Sequence, residues 1–202
     1  MSTAPSAALW MGAAFAINCL VTAIIFATFG AGLHGAQIAL MATARVSFLW
    51  FWTAYAGGAL EPLFGVAFKP LKQYGREFGL AFAAALLVHL CLVAWFCYVG
   101  GAPKLGVFIF FGTAALCAYI MALFSLKFLH QMLSQDLWWL LRTVTMNFIL
   151  FAFFVDFIKI PFDDGIWRIV KYLPFTTLTL AAPMLRLAAW VICRRGATEK
   201  SA

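Results

Sequence analysis

Six predominantly apolar runs, each about as long as a bilayer is thick, constrain this chain more than any other feature. A helix that spans a membrane needs roughly 20 apolar residues, with a range of about 17–25. An open sheet cannot pair its backbone groups in lipid, and the runs lack the alternation of barrel strands, so they predict helices. The predicted fold class is therefore all-α: a polytopic membrane protein with one bundle of six transmembrane helices. The predicted spans are residues 7–29, 46–68, 78–99, 105–124, 137–157 and 173–193.

The composition argues against a water-soluble protein. Hydrophobic residues make up 65% of the 202 residues and charged residues only 10%, and no soluble core of this size could bury so much apolar surface. The net charge of +7 could suggest a nucleic-acid partner. However, the Lys and Arg residues lie mostly at the ends of the apolar runs and form no basic stripe. We therefore expect a lipid bilayer as the partner and no nucleic acid.

The placement of Lys and Arg also predicts the orientation. If the N-terminus is cytoplasmic, seven of these residues fall in inner segments and five, including Arg45, in outer segments. Cytoplasmic segments carry the excess of positive charge, so both termini are predicted to be cytoplasmic, in a bacterial inner membrane. The first run exceeds the apolar core of a signal peptide and no basic stretch precedes it, so we expect it to be retained.

The segments between the runs are short, and they are rich in glycine, proline or charge, as is typical of turns. Residues 30–45 are expected to form an outer linker that holds His34. The longest outer segment, residues 159–172, mixes acidic, basic and aromatic residues. We interpret it as a half-helix anchored at the interface by Trp167 and Tyr172. The alternative is a docking face for a membrane or periplasmic protein partner.

His89 is the candidate functional residue. It lies eleven residues after the start of the third run, or about 16 Å along a helix, close to the middle of the bilayer. An ionisable side chain at that depth is costly, so its default interpretation is functional. A membrane haem needs two axial ligands at matching depth, and imidazole is a common one. His34 and His130 are expected to lie more than about 10 Å away along the membrane normal. A hydrogen bond from His89 to Asn147 or to a hydroxyl across the bundle remains open, as does proton or quinone chemistry.

The third run begins with Arg76-x-x-Gly79-Leu80, and His89 follows ten residues after the glycine. This spacing resembles the third helix of the ferric-reductase-like transmembrane family, which includes the haem-binding membrane subunit of the methionine-sulfoxide reductase system. The pairs Ala44-Arg45 and Pro62-Leu63 look like that family's second helix, and Ser125 and Trp138-x-x-Leu141 look like its entry into the fifth. The resemblance covers roughly residues 45–155. It implies six membrane helices, b-type haem and electron transfer.

The resemblance fails where the family's fifth helix carries its histidines. Those two positions hold Arg142 and Val155 here, and neither side chain is an ordinary haem ligand. Met146 is the substitute at the depth of His89, because a thioether can complete a His/Met haem, although a methionine in an apolar helix more often fills a packing gap. Cys117 is a weaker substitute. The five cysteines show no paired spacing, and we interpret them as small buried apolar residues.

A second group of ionisable residues is expected in the inner leaflet. Glu61 and Arg186 each lie eight residues before a basic residue at the inner end of a span, so they share a depth, and Arg142 enters from the same side. An ion pair between Glu61 and Arg186, or Arg142, would offset part of the cost of burying each charge. The functional alternative is a basic pocket in which Arg142 and Arg186 bind haem propionates, a quinone headgroup or an anionic lipid. Asp156 and Lys159 are expected to form a local pair.

The sequence holds no nucleotide-binding motif, so any reductant would come from a quinol or a partner protein. The leading hypothesis is a ferric-reductase-like membrane protein with at most one b-type haem, bound by His89, in transmembrane electron transfer. The sequence offers cofactor-binding candidates (His89, Met146, Arg142 and Arg186) but no catalytic residue of its own. The alternative is a haem-free accessory or scaffold subunit that has lost the redox chemistry. A small transporter that uses Glu61 and Arg186 is a third interpretation.

Overall fold

The computed structural model describes residues 7–125, 134–158 and 166–199, of which the side chains of 166–171 and 195–199 are not described. These residues form α-helices joined by short turns, and no strand occurs among them. The predicted all-α class is thus confirmed. The α-helices are α1 (Ala7–Phe29), α2 (Leu33–Phe64), α3 (Lys69–Gln73), α4 (Gly75–Tyr98), α5 (Leu105–Phe124), α6 (Gln135–Ile158) and α7 (Ile166–Glu199). A short 3₁₀-helix, Val66–Phe68, joins α2 to α3.

Five of these helices are long and apolar enough to cross a membrane: α1, α4, α5, α6 and the part of α7 from Tyr172 to Arg194. The chain therefore has the helices of an integral membrane protein. Helix α2, where the run 46–68 predicts another span, does not meet the same criterion of apolarity. Its 32 residues include Arg45 and Glu61 as well as several Trp, Tyr, Gly, Ser and Thr residues, all of which lower the mean hydropathy. The helix also ends at Phe64, four residues before the predicted end of the span.

The linker predicted at residues 30–45 is wrong from Leu33 onward, because α2 begins there and includes both His34 and Arg45. The turn that remains is tight and needs two glycines. Gly30 adopts a φ of +78°, which a residue with a Cβ rarely tolerates. A Cβ on Gly35 would overlap the carbonyl oxygen of Gly30. The backbone itself thus folds back on the end of α1, where it leaves no room for a side chain.

The chain divides into two compact units, each described here by itself. Unit 1 comprises Met1–Phe51 and Glu77–Ile149, and unit 2 comprises Trp52–Arg76 and Leu150–Ala202. In unit 1, Ala14 of α1 packs with Ala81 and Ala85 of α4, all three fully buried. Small side chains let helix backbones approach closely, which is how helices associate in lipid. Trp10 and Trp50 pack against this alanine cluster.

Unit 2 is held by aromatic side chains and by bonds to backbone carbonyls. The indole N–H of Trp52 on α2 donates to the carbonyl of Leu178 on α7 at 2.9 Å. The rings of Phe157 on α6 and Phe175 on α7 lie 5.3 Å apart, centroid to centroid. A Cβ on Gly57 would lie 3.2 Å from the carbonyl oxygen of Leu71, so α2 and α3 also approach closely.

Two other predictions need correction or fall outside the described residues. The cysteines were expected to be buried, but Cys19, Cys91 and Cys193 are exposed and the other two are intermediate, as suits small apolar residues that can face lipid. Of the predicted interfacial segment 159–172, residues 159–165 lie outside the described residues. The expected pair of Asp156 with Lys159 therefore also falls outside them. From Ile166 onward its backbone is part of α7 and continues directly into the last apolar span.

Candidate functional site: the polar seam around His89

His89 forms a hydrogen bond across two helices. Its Nδ1 atom lies 3.0 Å from the hydroxyl oxygen of Thr43, which is fully buried on α2. Thr43 also lies 2.8 Å from the carbonyl oxygen of Ala39, one turn earlier in the same helix. The imidazole therefore faces a neighbouring helix. Its bond to a hydroxyl is one of the alternatives that the sequence analysis left open for His89. The other candidate partner, Asn147, is exposed and donates to Thr143 in its own helix.

These two bonds together assign the tautomer of His89. A threonine hydroxyl has one proton to donate, and the Ala39 carbonyl can only accept. With the hydroxyl proton directed at Ala39, the Thr43 oxygen accepts from Nδ1–H of the imidazole. Since a neutral imidazole carries a single N–H, Nε2 on the opposite side of the ring keeps its lone pair. The network thus leaves Nε2 as an acceptor or a metal ligand, in an assignment made from hydrogen-bond partners.

Asn18 makes the second polar connection in this unit. It lies at the midpoint of α1, is fully buried, and donates from Nδ2 to the Ser47 hydroxyl at 3.2 Å and to the Ala85 carbonyl at 2.9 Å. One side chain thereby ties α1 to both α2 and α4. Its Oδ1 atom is buried without a hydrogen-bond partner among the described residues. A buried acceptor without a partner is costly, and this cost opposes the two donated bonds.

The two connections lie one helical turn apart. Ser47 follows Thr43 by four residues on α2, and Ala85 precedes His89 by four residues on α4, so the bonds stack along one face of each helix. We call Asn18, Thr43, Ser47 and His89 the polar seam. Of its members the sequence analysis identified only His89. A lone asparagine midway along an apolar run was the signal that could have revealed Asn18, whereas Ser and Thr are too common in membrane helices to attract notice.

The other candidate ligands differ from one another in exposure. Met146 on α6 belongs to the same unit and is buried, with 9% of its surface exposed, but Arg142 on that helix is exposed. Cys91 is exposed and Cys117 is half-buried. No group of three or more His, Cys, Asp or Glu side chains able to hold a metal occurs among the described residues. Among the described residues, His89 is the one imidazole at this depth. His34 lies in the first turn of α2, and His130 is not among the described residues.

The predicted inner-leaflet ion pair is replaced by another one. Glu61 pairs with Lys72 of α3, with 2.7 Å between Oε2 and Nζ, and Arg186 places its guanidinium over the ring of Tyr55 at 4.6 Å. The expected pair of Glu61 with Arg186 is therefore wrong. Depth matching along two helices could not anticipate α3, which returns a lysine to the end of α2. The hydrogen bond and the negative charge of Glu61 raise the pKa of Lys72 above its usual 10.5.

Comparisons of this chain with family models, with curated proteins and with solved structures gave no match.

Proposed function

We propose that this protein is a six-helix membrane protein of the ferric-reductase-like type, in which α2 makes a sixth crossing and His89 binds at most one b-type haem. The observation that carries the haem proposal is the bond from Nδ1 of His89 to Thr43. Histidines that bind metals in proteins usually donate their second N–H to a fixed acceptor, which sets the ring orientation and the tautomer. The polar seam provides this arrangement.

The residues present fit one haem ligand. Nε2 of His89 would bind the iron, and Met146 would be the candidate for a second ligand through its thioether. A haem held there would supply one-electron chemistry. The chain's own contribution is to orient the imidazole through Thr43 and to exclude water with the alanine cluster. Arg142, which belongs to the same unit as His89, is the cation we propose for the propionates, or for a quinone headgroup.

The sixth crossing is supported by the length and the burial of α2. At 1.5 Å per residue, 32 residues extend about 48 Å, well beyond the roughly 30 Å of the hydrocarbon core. Its low hydropathy is compatible with a crossing because its polar side chains pack against protein instead of lipid. Thr43 and Ser47 are fully buried. With Arg45 inside the helix, one of the five outer positive charges no longer belongs to a loop, and this favours cytoplasmic termini in an inner membrane.

A reduced-minus-oxidised absorbance spectrum of the protein from haem-replete cells tests the haem proposal. We expect a b-type band that His89→Ala abolishes, that Met146→Leu shifts or weakens, and that His34→Ala leaves unchanged, since His34 lies in the first turn of α2 against Phe29, the last residue of α1. Thr43→Val should change the band without abolishing it, because the ligand remains and its orientation does not. Absence of a band in the unmodified protein, or a band that survives His89→Ala, would contradict the proposal.

The second candidate is a haem-free accessory or scaffold subunit of a membrane complex. It is favoured by Arg142 and Val155 at the positions of the family's histidines and by the fact that His89 is the one imidazole at its depth in the described part of unit 1, since His34 lies in the first turn of α2. In this function the polar seam only joins helices. Purification in mild detergent distinguishes the two candidates: a scaffold subunit retains a protein partner and shows no haem band, whereas a chain that is monodisperse and alone contradicts it.

A further inference from the structure

Arg186 is a positive charge within a membrane span for which the described residues supply no carboxylate. It lies on α7, eight residues before the end of the apolar span Tyr172–Arg194, or about 12 Å along the helix. The contact that it makes within the described part of the chain is with Tyr55, whose ring centroid lies 4.6 Å from the guanidinium carbon. The carboxylate that depth suggests for it, Glu61, pairs with Lys72 instead. Charged side chains inside a membrane almost always have a partner, so this cation calls for an anion.

Tyr55 keeps the guanidinium away from the membrane surface. Long arginine side chains near the end of a span usually extend toward the interface. Tyr55, however, lies nine residues before the end of α2 at Phe64, about 14 Å along that helix, and it is buried, with 6% of its surface exposed. A guanidinium carries five N–H donors, and no oxygen among the described residues accepts from those of Arg186. The charge is therefore positioned at depth, on a side chain that is only half-buried.

Beside this cation, α7 exposes one leucine in every seven residues. Leu173, Leu180 and Leu187 are 55%, 51% and 62% exposed, and Arg186 directly precedes the last of them. Apolar residues at this spacing form the seam along which two helices pack, and charged residues in the position just before the seam form ion pairs between helices. Leucines alone would suit lipid equally well. The cation does not, because lipid tails offer it no acceptor. We call these four residues the leucine face of α7.

We propose that the leucine face docks a transmembrane helix of another protein, and that this helix carries a carboxylate at the depth of Arg186. The carboxylate accepts two parallel bonds from the guanidinium, and the apolar side chains of the partner pack between the leucines. A second copy of the chain does not fit through the same face, because residues 172–194 contain no Asp or Glu. A lipid phosphate fits less well than a helix, since phosphates lie at the membrane surface, whereas a helix presents a carboxylate at any depth. The face belongs to unit 2 alone, so the proposal does not depend on haem binding by His89.

Energy transfer between the protein and a model helix tests the proposal. The protein, with a donor fluorophore at its N-terminus, is reconstituted in phosphatidylcholine bilayers with an acceptor-labelled, leucine-rich helix that carries one glutamate about 12 Å from one end. The same helix with glutamine is the reference probe. A bond between membrane helices contributes enough for about a threefold to twentyfold change in association, so we expect a preference for glutamate of at least about threefold. Equal association of the two probes above neutral pH, where the glutamate is ionised, would overturn the proposal.

Variants of the protein locate the preference. Arg186→Leu should remove it, whereas Lys104→Gln, which removes one charge from an exposed position in unit 1, should keep it. An equal loss in both variants, or a preference that persists in Arg186→Leu, would overturn the proposal. Arg186→Glu should instead prefer a probe with lysine at the same depth, and this exchanged preference also shows that the variant is folded. A folded Arg186→Glu protein that does not distinguish lysine from glutamine would count against the proposal.

Two further measurements separate a helix from the other occupants of the leucine face. The preference for the glutamate probe should persist when equal parts of phosphatidylglycerol and phosphatidylcholine form the bilayer. Its loss there would assign Arg186 to a lipid phosphate and overturn the proposal. Energy transfer between two labelled copies of the protein should not depend on Arg186. Transfer between copies that Arg186→Leu abolishes would assign the face to self-association, and would likewise overturn it.

Discussion

Units 1 and 2 place their polar side chains in opposite ways. In unit 1 the connections are neutral and buried: Asn18 is fully buried and reaches Ser47 and Ala85. In unit 2 they include charges that stay partly exposed, as in the pair of Glu61 and Lys72, whose side chains are 24% and 60% exposed. The cost of a polar group in a membrane is highest at the centre and falls toward the interface. The contrast therefore indicates that unit 1 carries neutral polar bonds in its interior, whereas unit 2 keeps a charged pair where solvent can reach it.

The largest effect is expected from Gly35→Ala, which disrupts unit 1 without touching a polar bond. The added Cβ overlaps the Gly30 carbonyl, so the turn between α1 and α2 must shift. We expect a loss of about 3 kcal/mol in the free energy of unfolding, measured by SDS titration in mixed micelles. Gly32→Ala is the matched control, because a Cβ there meets nothing within 4 Å. Equal losses in both variants would refute the steric explanation.

Asn18→Leu should have the next largest effect, because it removes both bonds that tie α1 to α2 and α4. Hydrogen bonds between membrane helices contribute about 0.6 kcal/mol on average and up to about 1.7, so we expect a loss of about 1–2 kcal/mol in the same titration. The effect should not depend on salt, since every group involved is neutral. The control is Thr28→Val, which removes an exposed hydroxyl that bonds only within α1. A stabilised Asn18→Leu protein would mean that the partnerless Oδ1 costs more than the two bonds contribute.

Trp52→Phe makes the corresponding change in unit 2. It removes the N–H that donates to the Leu178 carbonyl but keeps an aromatic ring in place. One partly buried bond is lost, so we expect about 0.6–1 kcal/mol, less than for Asn18→Leu. A larger loss than that of Asn18→Leu would break the comparison, because unit 2 would then depend more on a single polar bond than unit 1 does on two.

The smallest effect is expected from Lys72→Gln, since the ion pair that it removes is exposed to solvent. Its sign with pH is definite. Glu61 raises the pKa of Lys72 in the folded state, so the contribution to stability is complete below the ordinary pKa of lysine and is lost as pH rises through the raised value. Thermal stability in detergent should therefore differ between Lys72→Gln and unmodified protein at neutral pH and converge as the pH rises through the raised pKa of Lys72. A difference that grows with pH would contradict this assignment.

The sequence predicted the elements that follow from apolar length alone. Helices α1 and α5 coincide with the runs 7–29 and 105–124, because apolar runs that pack mainly against lipid begin and end with their hydrophobicity. The prediction failed at α2 for the converse reason. Its first turns carry His34, Gln37 and Arg45, which resemble a linker by composition, but Ala36, Ala39 and Thr43 among them form a buried face. The helical spacing of these three positions could have predicted the helix, but the low mean hydropathy of the stretch favoured a linker.

The candidate site was predictable only as a single residue. His89 stands out because ionisable side chains are rare in apolar runs. Thr43 becomes its partner, and Asn18 bonds to Ala85 one turn away, through helix packing, which one sequence does not specify. The pairing of Glu61 failed in a similar way. Depth along the bundle suggested Arg186, whereas the chain bends back through the 3₁₀-helix and α3 and presents Lys72. In this chain the turn that follows α2, and not depth along the bundle, determines which cation pairs with Glu61.

The three-residue connection between α1 and α2 has a consequence for how the chain enters the bilayer. With only residues 30–32 between the two helices, the second cannot remain in the translocation channel or on the cytoplasmic face while the first settles into lipid. In the proposed topology they must partition together as a helical hairpin. The strongly apolar α1 then supplies the driving force for insertion that α2, with its Trp, Thr and Arg residues, lacks. Biogenesis of this protein would therefore depend on a short turn between the two helices.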